Sequence, residues 1–355
     1  MTTNSTITRS CIPLSLVVIS FLFLPGCNKR TSDRSWTVNK LEYLEKPGLS
    51  VLVFHDFYPV GKQGGVEIIQ HGQRIATNGF IRMEQVNGER FDDPARATRE
   101  IDSINHLITA KVNYEDFNFG YSVTVQPDGD AFKLKVDLDK PIPAAWKDKL
   151  YFQMEIYPPL YYGKTFQLGS AFGIVTRQGN GPLIKDENGR LRSASMGQGK
   201  KLVLAAEDPM RNLVIEDETG KLTLMDERNV SNRGWLVVKS NVPSEVTDGA
   251  IEWTIRPHVV SGWTREPMIA VSQVGYDPDQ VKQAIIETEP GSKAGRVSLL
   301  KVTGEDGAKE VLSESPQRWG KFLRYDYAIF DFSSVHEPGM YRVRAGDVMS
   351  DPFAI

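Results

Sequence analysis

Two adjoining runs set the limits on this fold. Residues 120–125 read Gly-Tyr-Ser-Val-Thr-Val and residues 131–138 read Ala-Phe-Lys-Leu-Lys-Val-Asp-Leu, each alternating apolar with polar side chains. Successive side chains of a β-strand point to opposite faces, so each run has one apolar and one polar face; a helix would scatter the same residues around its axis. Gln-Pro-Asp-Gly-Asp between them supplies turn chemistry. Further strand-like runs fall at 51–54, 65–69, 150–157, 201–206, 212–216, 221–225, 235–239 and 250–256, while helical character is confined to a short turn at 143–149. The pattern predicts an all-β domain over 49–260, built as two stacked antiparallel sheets of jelly-roll or larger sandwich type.

Residues 178–199 hold five glycines and Asp-Glu-Asn-Gly, a turn-rich connection that is either a loop of the sandwich or a seam between subdomains. Ser261-Gly-Trp-Thr-Arg-Glu-Pro267 has the composition of a linker. After it, β-type runs at 269–274, 283–288, 296–302 and 325–332 and the closing segment 339–355 are spaced by Gly, Pro and Asp as in a small sandwich. This predicts an immunoglobulin-like module over 268–355.

That last module carries a resemblance. Val271-Ser-Gln-Val-Gly-Tyr-Asp-Pro278, Tyr327-Ala-Ile-Phe-Asp-Phe-Ser-Ser334, Glu337-Pro-Gly-Met-Tyr-Arg-Val343 and Ser350-Asp-Pro-Phe-Ala-Ile355 occur in the order found in the N-terminal immunoglobulin-like domain of glycoside hydrolase family 9 cellulases, which the module resembles. More weakly, Val51-Leu-Val-Phe54, Gly65-Val-Glu-Ile-Ile-Gln-His-Gly72 and Ala76-Thr-Asn-Gly79 resemble the β-rich extension that precedes this module in some family 9 hydrolases of Bacteroidetes-type bacteria. The resemblance implies a partner, the catalytic α/α barrel, following Ile355 in cis or in an adjacent frame. It also implies a chemistry, hydrolysis of β-1,4-glucosidic bonds, with β-glucan as substrate.

The N-terminus predicts location. Arg9 precedes an apolar run at 11–24, too short for a membrane span but suited to a signal-peptide core. It ends in Leu24-Pro-Gly-Cys27, which resembles the lipobox of bacterial lipoproteins, so residues 1–26 are expected to be removed and Cys27 to carry lipid. Several acyl chains, each CH₂ contributing about 0.8 kcal/mol when buried, anchor firmly. Residues 27–48 are then a tether, and the protein is expected on the bacterial cell envelope outside the cytoplasm, at the outer membrane in a Gram-negative cell. The other cysteine, Cys11, lies in the removed segment, so no disulfide forms in the mature chain. A net charge of −3, with no basic patch or stacking motif, argues against nucleic acid as a partner.

Chemistry is sparse along the chain. Glycoside hydrolysis requires two carboxylates about 5–5.5 Å apart for retention or about 6.5–9.5 Å for inversion. The family resembled inverts, with its base in an Asp-Ala-Gly-Asp type motif. The nearest string here, Ala345-Gly-Asp347, lacks the first aspartate. Glu155 and Glu252 stand beside aromatics in strand-like runs, where a solvent-facing position is the plainer account. Neither His55-Asp56 nor Ser195 has the context of a nucleophilic triad. His55, His71, His106, His258 and His336 have no ligand spacing, so no metal and no cofactor are expected. No catalytic residue is assigned within this chain. The densest aromatic cluster, Tyr151, Tyr157, Tyr161 and Tyr162, is the candidate sugar platform; the alternative is that these rings fill a core. The expectation is therefore the non-catalytic N-terminal part of a family 9 type cellulase, inactive alone. The alternatives are a free-standing glycan-binding lipoprotein and an enzyme with its site in the middle domain.

Overall fold

The alternation at 119–138 folds as expected. In the computed structural model, Phe119–Asp128 pairs antiparallel with Ala131–Leu138 across a tight turn at Gly129-Asp130. Tyr121, Val123 and Val125 face inward with Phe132, Leu134 and Val136, each buried. Burying one such large apolar side chain contributes about 1.5–3 kcal/mol, which makes this hairpin a substantial part of the core. The structure describes residues 1–2, 36–58, 63–83, 97–230, 234–304 and 307–355, with residue 116 described by its backbone alone. Cys27, and with it the expected signal peptide, lies outside the described residues.

Two nine-stranded antiparallel sheets enclose one core. The first runs, edge to edge, Thr37–Val38, Leu44–Lys46, Leu49–Val53, Val66–Gln70, Gln73–Met83, Leu150–Ile156, Leu236–Asn241, Leu222–Asp226 and Ser195–Gly199. The second runs Ala171–Ile174, Thr165–Leu168, Lys201–Leu204, Leu213–Asp217, Ile251–Pro257, Ala131–Leu138, Phe119–Asp128, Leu107–Tyr114 and Thr98–Asp102. Phe152 of the first meets Trp253 of the second edge to face at 5.0 Å. Trp253 Nε1–H donates to Ser240 Oγ at 3.0 Å, and that hydroxyl donates to Asp217 Oδ2 at 2.6 Å, so both sheets share a buried polar link. Among the described residues there is no α-helix, only three single 3₁₀ turns, one of which, Ala144–Trp146, falls in the helical turn expected at 143–149.

One expectation is corrected. Residues 36–48, assigned to the tether, belong to the sandwich: Thr37–Val38 and Leu44–Lys46 are strands of the first sheet, and Trp36 and Leu44 lie in its core. The Trp36 ring packs edge-on against Phe132, its Nε1–H donates to Gly129 O at 2.9 Å, and Lys46 Nζ sits 4.8 Å from its centre. A two-residue strand has no readable period, so nothing in the local sequence announced it. The segment at 178–199 also gains structure, as a hairpin of Leu183–Lys185 with Leu191–Ser193 followed by the edge strand Ser195–Gly199.

The C-terminal module has a separate core. Met268–Ala270, Gln283–Thr288, Tyr325–Asp331 and Gln317–Phe322 form one sheet, and Gly307–Glu314, Val297–Thr303, Met340–Ala345 and Val348–Met349 form the other, with Phe353–Ala354 on Met340–Ala345. Ile286, Leu299, Phe330, Phe332, Tyr341 and Phe353 fill the space between them. All of this lies within the single compact unit Ser35–Ile355. The two sandwiches meet at Arg324, whose guanidinium lies 4.9 Å from the Tyr325 ring that Arg265 also approaches at 4.7 Å. Arg265 pairs with Glu287, and Arg324 reaches Glu45 of the first sheet at 3.3 Å and Glu289 at 3.5 Å.

Candidate functional site

The outer face of the first sheet holds the richest side-chain chemistry. Strand alternation places Val66 and Ile68 in the core and points Glu67 outward. An outward glutamate on a sheet is normally solvated, yet Glu67 is 1% exposed, because Tyr58 and Gly64 lie against it. Tyr58 and Thr77 hydroxyls donate to Glu67 Oε1, and Arg74 Nη2 lies 3.3 Å from Oε2. This close cover depends on Gly64, where an added Cβ would stand 2.4 Å from Glu67 Oε1. Gln63 fastens the same segment, donating to Phe54 O and accepting from Ala97 N–H.

Arg74 joins this buried acid to an open rim. Its Nη1 donates to Tyr58 OH at 3.0 Å and its Nη2 to Asp56 Oδ2 at 3.3 Å, while the side chain stays 38% exposed. His55 Nδ1–H donates to Asp56 Oδ1 at 2.9 Å, and the His55 ring stands edge-on to Tyr43 at 4.7 Å. Burial raises the Glu67 carboxyl above its ordinary range, against the pull of the Thr77 and Tyr58 hydrogen bonds and the Arg74 charge. Burial raises the Tyr58 phenol too, as does its hydrogen bond to Glu67. The rim adjoins the C-terminal module, since Arg324 bonds Glu45 and its charge acts on Tyr43 together with those of Asp56 and Arg74.

Glu155 lies on the same face. It stands opposite Thr77 in the next strand and is bound by Asn78 Nδ2 at 2.7 Å, Gln153 Nε2 at 3.1 Å and Arg82 Nη2 at 3.4 Å. With one strand between them, the backbones of Glu67 and Glu155 are about 10 Å apart. Tyr58 covers Glu67, so this is no open acid and base pair. Glu252 is on the other sheet, in Ile251–Pro257. Glu155 and Glu252 therefore cannot flank one bond.

The four tyrosines do not form a platform. Tyr161 is fully buried in the core, and its phenol is pushed far up by that burial. Tyr162 sits within 5.9 Å of both Arg177 and Arg228, Tyr151 lies under Lys239 Nζ at 4.1 Å, and Tyr157, 39% exposed, packs on Trp235. Tyr151 and Tyr157 share the outer face, with Phe152, Met154 and Ile156 buried behind them. Ser195 is exposed at a sheet edge and bonds Gly197, and Ala345-Gly-Asp347 is a turn between two strands. Among the described residues, no cluster of three His, Cys, Asp or Glu side chains is placed to hold a metal. A surface depression of about 450 Å³ lies on the second sheet, lined by Thr98, Lys111, Asn113, Ser122, Asp137 and Asp139 among others.

Sequence reasoning passed over Lys282. It is fully buried, and its ammonium donates to Pro278 O at 2.5 Å and Gln280 O at 3.0 Å, fixing the Gly-Tyr-Asp-Pro turn that opens the module. A lysine four residues after that proline is the available signal. Tyr276 adds to the turn, its ring on Phe332 and Phe353 and its hydroxyl donating to Gln283 O.

Residues 264–350 match the model of the cellulase N-terminal ig-like domain. No curated protein matches the chain. Among solved structures, a metagenome-derived glycoside hydrolase family 9 endoglucanase aligns at 28% identity and a TM-score of 0.22 over 25% of this chain; the chain spans 18% of that enzyme's length. The Slr1438 protein of Synechocystis sp. PCC 6803 aligns at 13% identity and a TM-score of 0.35 over 60% of this chain and 93% of its own. At these TM-scores neither superposition defines a shared fold. The C-terminal quarter of this all-β chain, folded as an Ig-like module, is thus similar to the cellulase N-terminal ig-like domain.

Proposed function

We propose that this chain is the non-catalytic N-terminal part of a family 9 type β-1,4-glucanase, working on β-glucan with a catalytic α/α barrel supplied in cis or from an adjacent frame. The observation that carries the reading is the match of residues 264–350 to the cellulase N-terminal ig-like domain. Two features support it. Glu155 and Glu252 stand on different sheets and Glu67 is covered, so the carboxylates considered lack the fixed separation that hydrolysis requires. Trp319, Phe322 and Leu323 of the Ig-like module are exposed and supply apolar surface on which a barrel packs.

Purified protein lacking residues 1–27 is expected to release no reducing sugar from carboxymethylcellulose or mixed-linkage glucan. Fusing a family 9 barrel after Ile355 is expected to give an activity whose thermal half-life exceeds that of the barrel alone. Turnover by the unfused protein, lost in Glu155→Gln, would overturn the reading in favour of an enzyme. Attachment through lipid at Cys27 is part of the same proposal. Cys27→Ser is expected to abolish palmitate labelling and leave the protein outside the membrane fraction; undiminished labelling counts against an anchor there.

A further inference from the structure

The geometry points to a binding subsite for a neutral saccharide where the two sandwiches meet, built by Asp56, Arg74, His55 and Tyr43, with Arg324 of the Ig-like module at its edge. The inference rests on the reading of the chain as part of a glucan-degrading assembly and names where that assembly holds its polymer outside the barrel.

Arg74 is the centre of the subsite. A guanidinium on a free surface is mobile, and ordering it costs part of what each hydrogen bond returns. Here Tyr58 OH, Asp56 and the buried Glu67 already fix its plane, and 38% of the side chain faces solvent. Asp56, held in turn by His55, is 28% exposed beside it. Beyond its bond to Tyr58, Arg74 Nη1 has a second N–H, and each Asp56 oxygen can accept more than the one hydrogen bond it takes from His55 or Arg74, so the pair offers neighbouring sugar hydroxyls one donor and one acceptor. A pyranose needs both kinds of group, together with an aromatic surface for its C–H face. The His55 and Tyr43 rings supply that surface, since they pack at 4.7 Å and both remain partly exposed.

Charge narrows the ligand class. Among the described residues here, five carboxylates, Glu45, Asp56, Glu67, Glu287 and Glu289, gather around three guanidiniums, Arg74, Arg265 and Arg324. An acidic polysaccharide would enter a field of its own sign, whereas a neutral glucan meets no such opposition. The other surface candidate, the depression on the second sheet, presents no exposed aromatic ring and no guanidinium.

Affinity electrophoresis in gels containing mixed-linkage glucan, xyloglucan or polygalacturonate tests this, with titration calorimetry on cellohexaose for affinities. Wild-type protein is expected to be retarded by the neutral glucans and to pass polygalacturonate unhindered. Asp56→Ala and Arg74→Lys are each expected to weaken cellohexaose binding at least tenfold, and Arg324→Ala more modestly. Asn113→Ala, in the depression on the second sheet, should bind as wild type. Circular dichroism guards against misfolding; if Arg74→Lys fails to fold, Asp56→Ala and His55→Ala decide. Failure of any neutral glucan to retard the protein, equal binding by Asp56→Ala, or preference for polygalacturonate overturns the subsite. Stabilisation of a fused barrel has its own readout, so the subsite and the scaffold role can fail separately.

Discussion

Asp226→Ala is expected to destabilise the larger sandwich by about 3–5 kcal/mol, the cost of leaving a buried charge without its partner. Asp226 is fully buried and Arg228 is 11% exposed. They form a two-pronged pair, Nε to Oδ1 and Nη2 to Oδ2, both at 2.8 Å. Oδ2 also accepts the backbone N–H groups of Asn180 and Gly181, and Arg228 Nη1 donates to Thr176 O at 2.6 Å. Burial alone would raise the Asp226 carboxyl, but the Arg228 hydrogen bonds hold it below its ordinary value. The pair thus pins the glycine-rich segment onto the end of Leu222–Asp226. Gly181 is required for that approach, since an added Cβ would stand 2.5 Å from Asp226 Cβ. In Asp226→Ala the guanidinium keeps Nη1 on Thr176 O while Nε and Nη2 lose the carboxylate. The double variant Asp226→Ala/Arg228→Met removes both charges and is expected to be more stable than the single one. Urea denaturation of the three proteins checks this, and a single variant within 1 kcal/mol of wild type would show the pair to be solvated in solution.

Legibility from sequence followed burial. At 120–125 and 131–138 one face meets the core, so every second residue is apolar and the strands announce themselves. Gln73–Met83 is longer and went unread, because Asn78 adopts the left-handed region at φ 54 and the pairing shifts register on both sides of it. A bulge adds a residue and inverts the alternation beyond it. Gly307–Glu314 is exposed along most of its length, so no apolar face was available to write a period. The Ig-like module was read through blocks of sequence, and Tyr276 and Lys282 show why those blocks hold together: each fastens the Gly-Tyr-Asp-Pro turn to the strands that follow.

The candidate site was less legible. In Gly65-Val-Glu-Ile-Ile69, Glu67 occupies the polar phase of the strand, where a carboxylate ordinarily meets water. What covers it is Tyr58, nine residues earlier, at a distance in sequence that no local strand pattern encodes. His55-Asp56 was visible as a pair, but its connection to Arg74 depends on register across two strands. The tyrosine cluster misled for the converse reason: residues 151–162 are close in sequence, yet the Pro158–Leu160 turn sends Tyr161 into the core and leaves Tyr157 on the surface. Proximity along a chain that changes direction is no guide to a shared face.

Stability is also expected to fall as the pH drops below about 6.5, through His71. This residue occupies the tight turn between Val66–Gln70 and Gln73–Met83 at φ 47, with Trp263 packed against its ring at 5.1 Å. Nδ1–H donates to Met210 O at 3.1 Å and Nε2 accepts the Val260 N–H at 3.1 Å, so the ring clasps two other segments only while neutral. Burial lowers its pKa from the ordinary 6.5, and the nearby Arg211 and His258 lower it further against the Met210 hydrogen bond and Asp208. An unfolded chain therefore binds a proton near pH 6.5 that the folded chain refuses, and the stabilisation present above that pH is lost progressively below it. Glu67 acts oppositely, because its raised carboxyl contributes stability that is lost as pH rises through its folded value. His71→Asn separates the two. Asparagine tolerates the left-handed backbone but cannot satisfy both partners, so this variant is expected to lose about 1–3 kcal/mol at pH 8. The loss should shrink as the pH falls from 7 to 5, since only wild type carries the His71 penalty, while Glu67 is present in both proteins. Urea midpoints measured across that range provide the check, and curves that stay parallel would mean that His71 accepts its proton without releasing Val260.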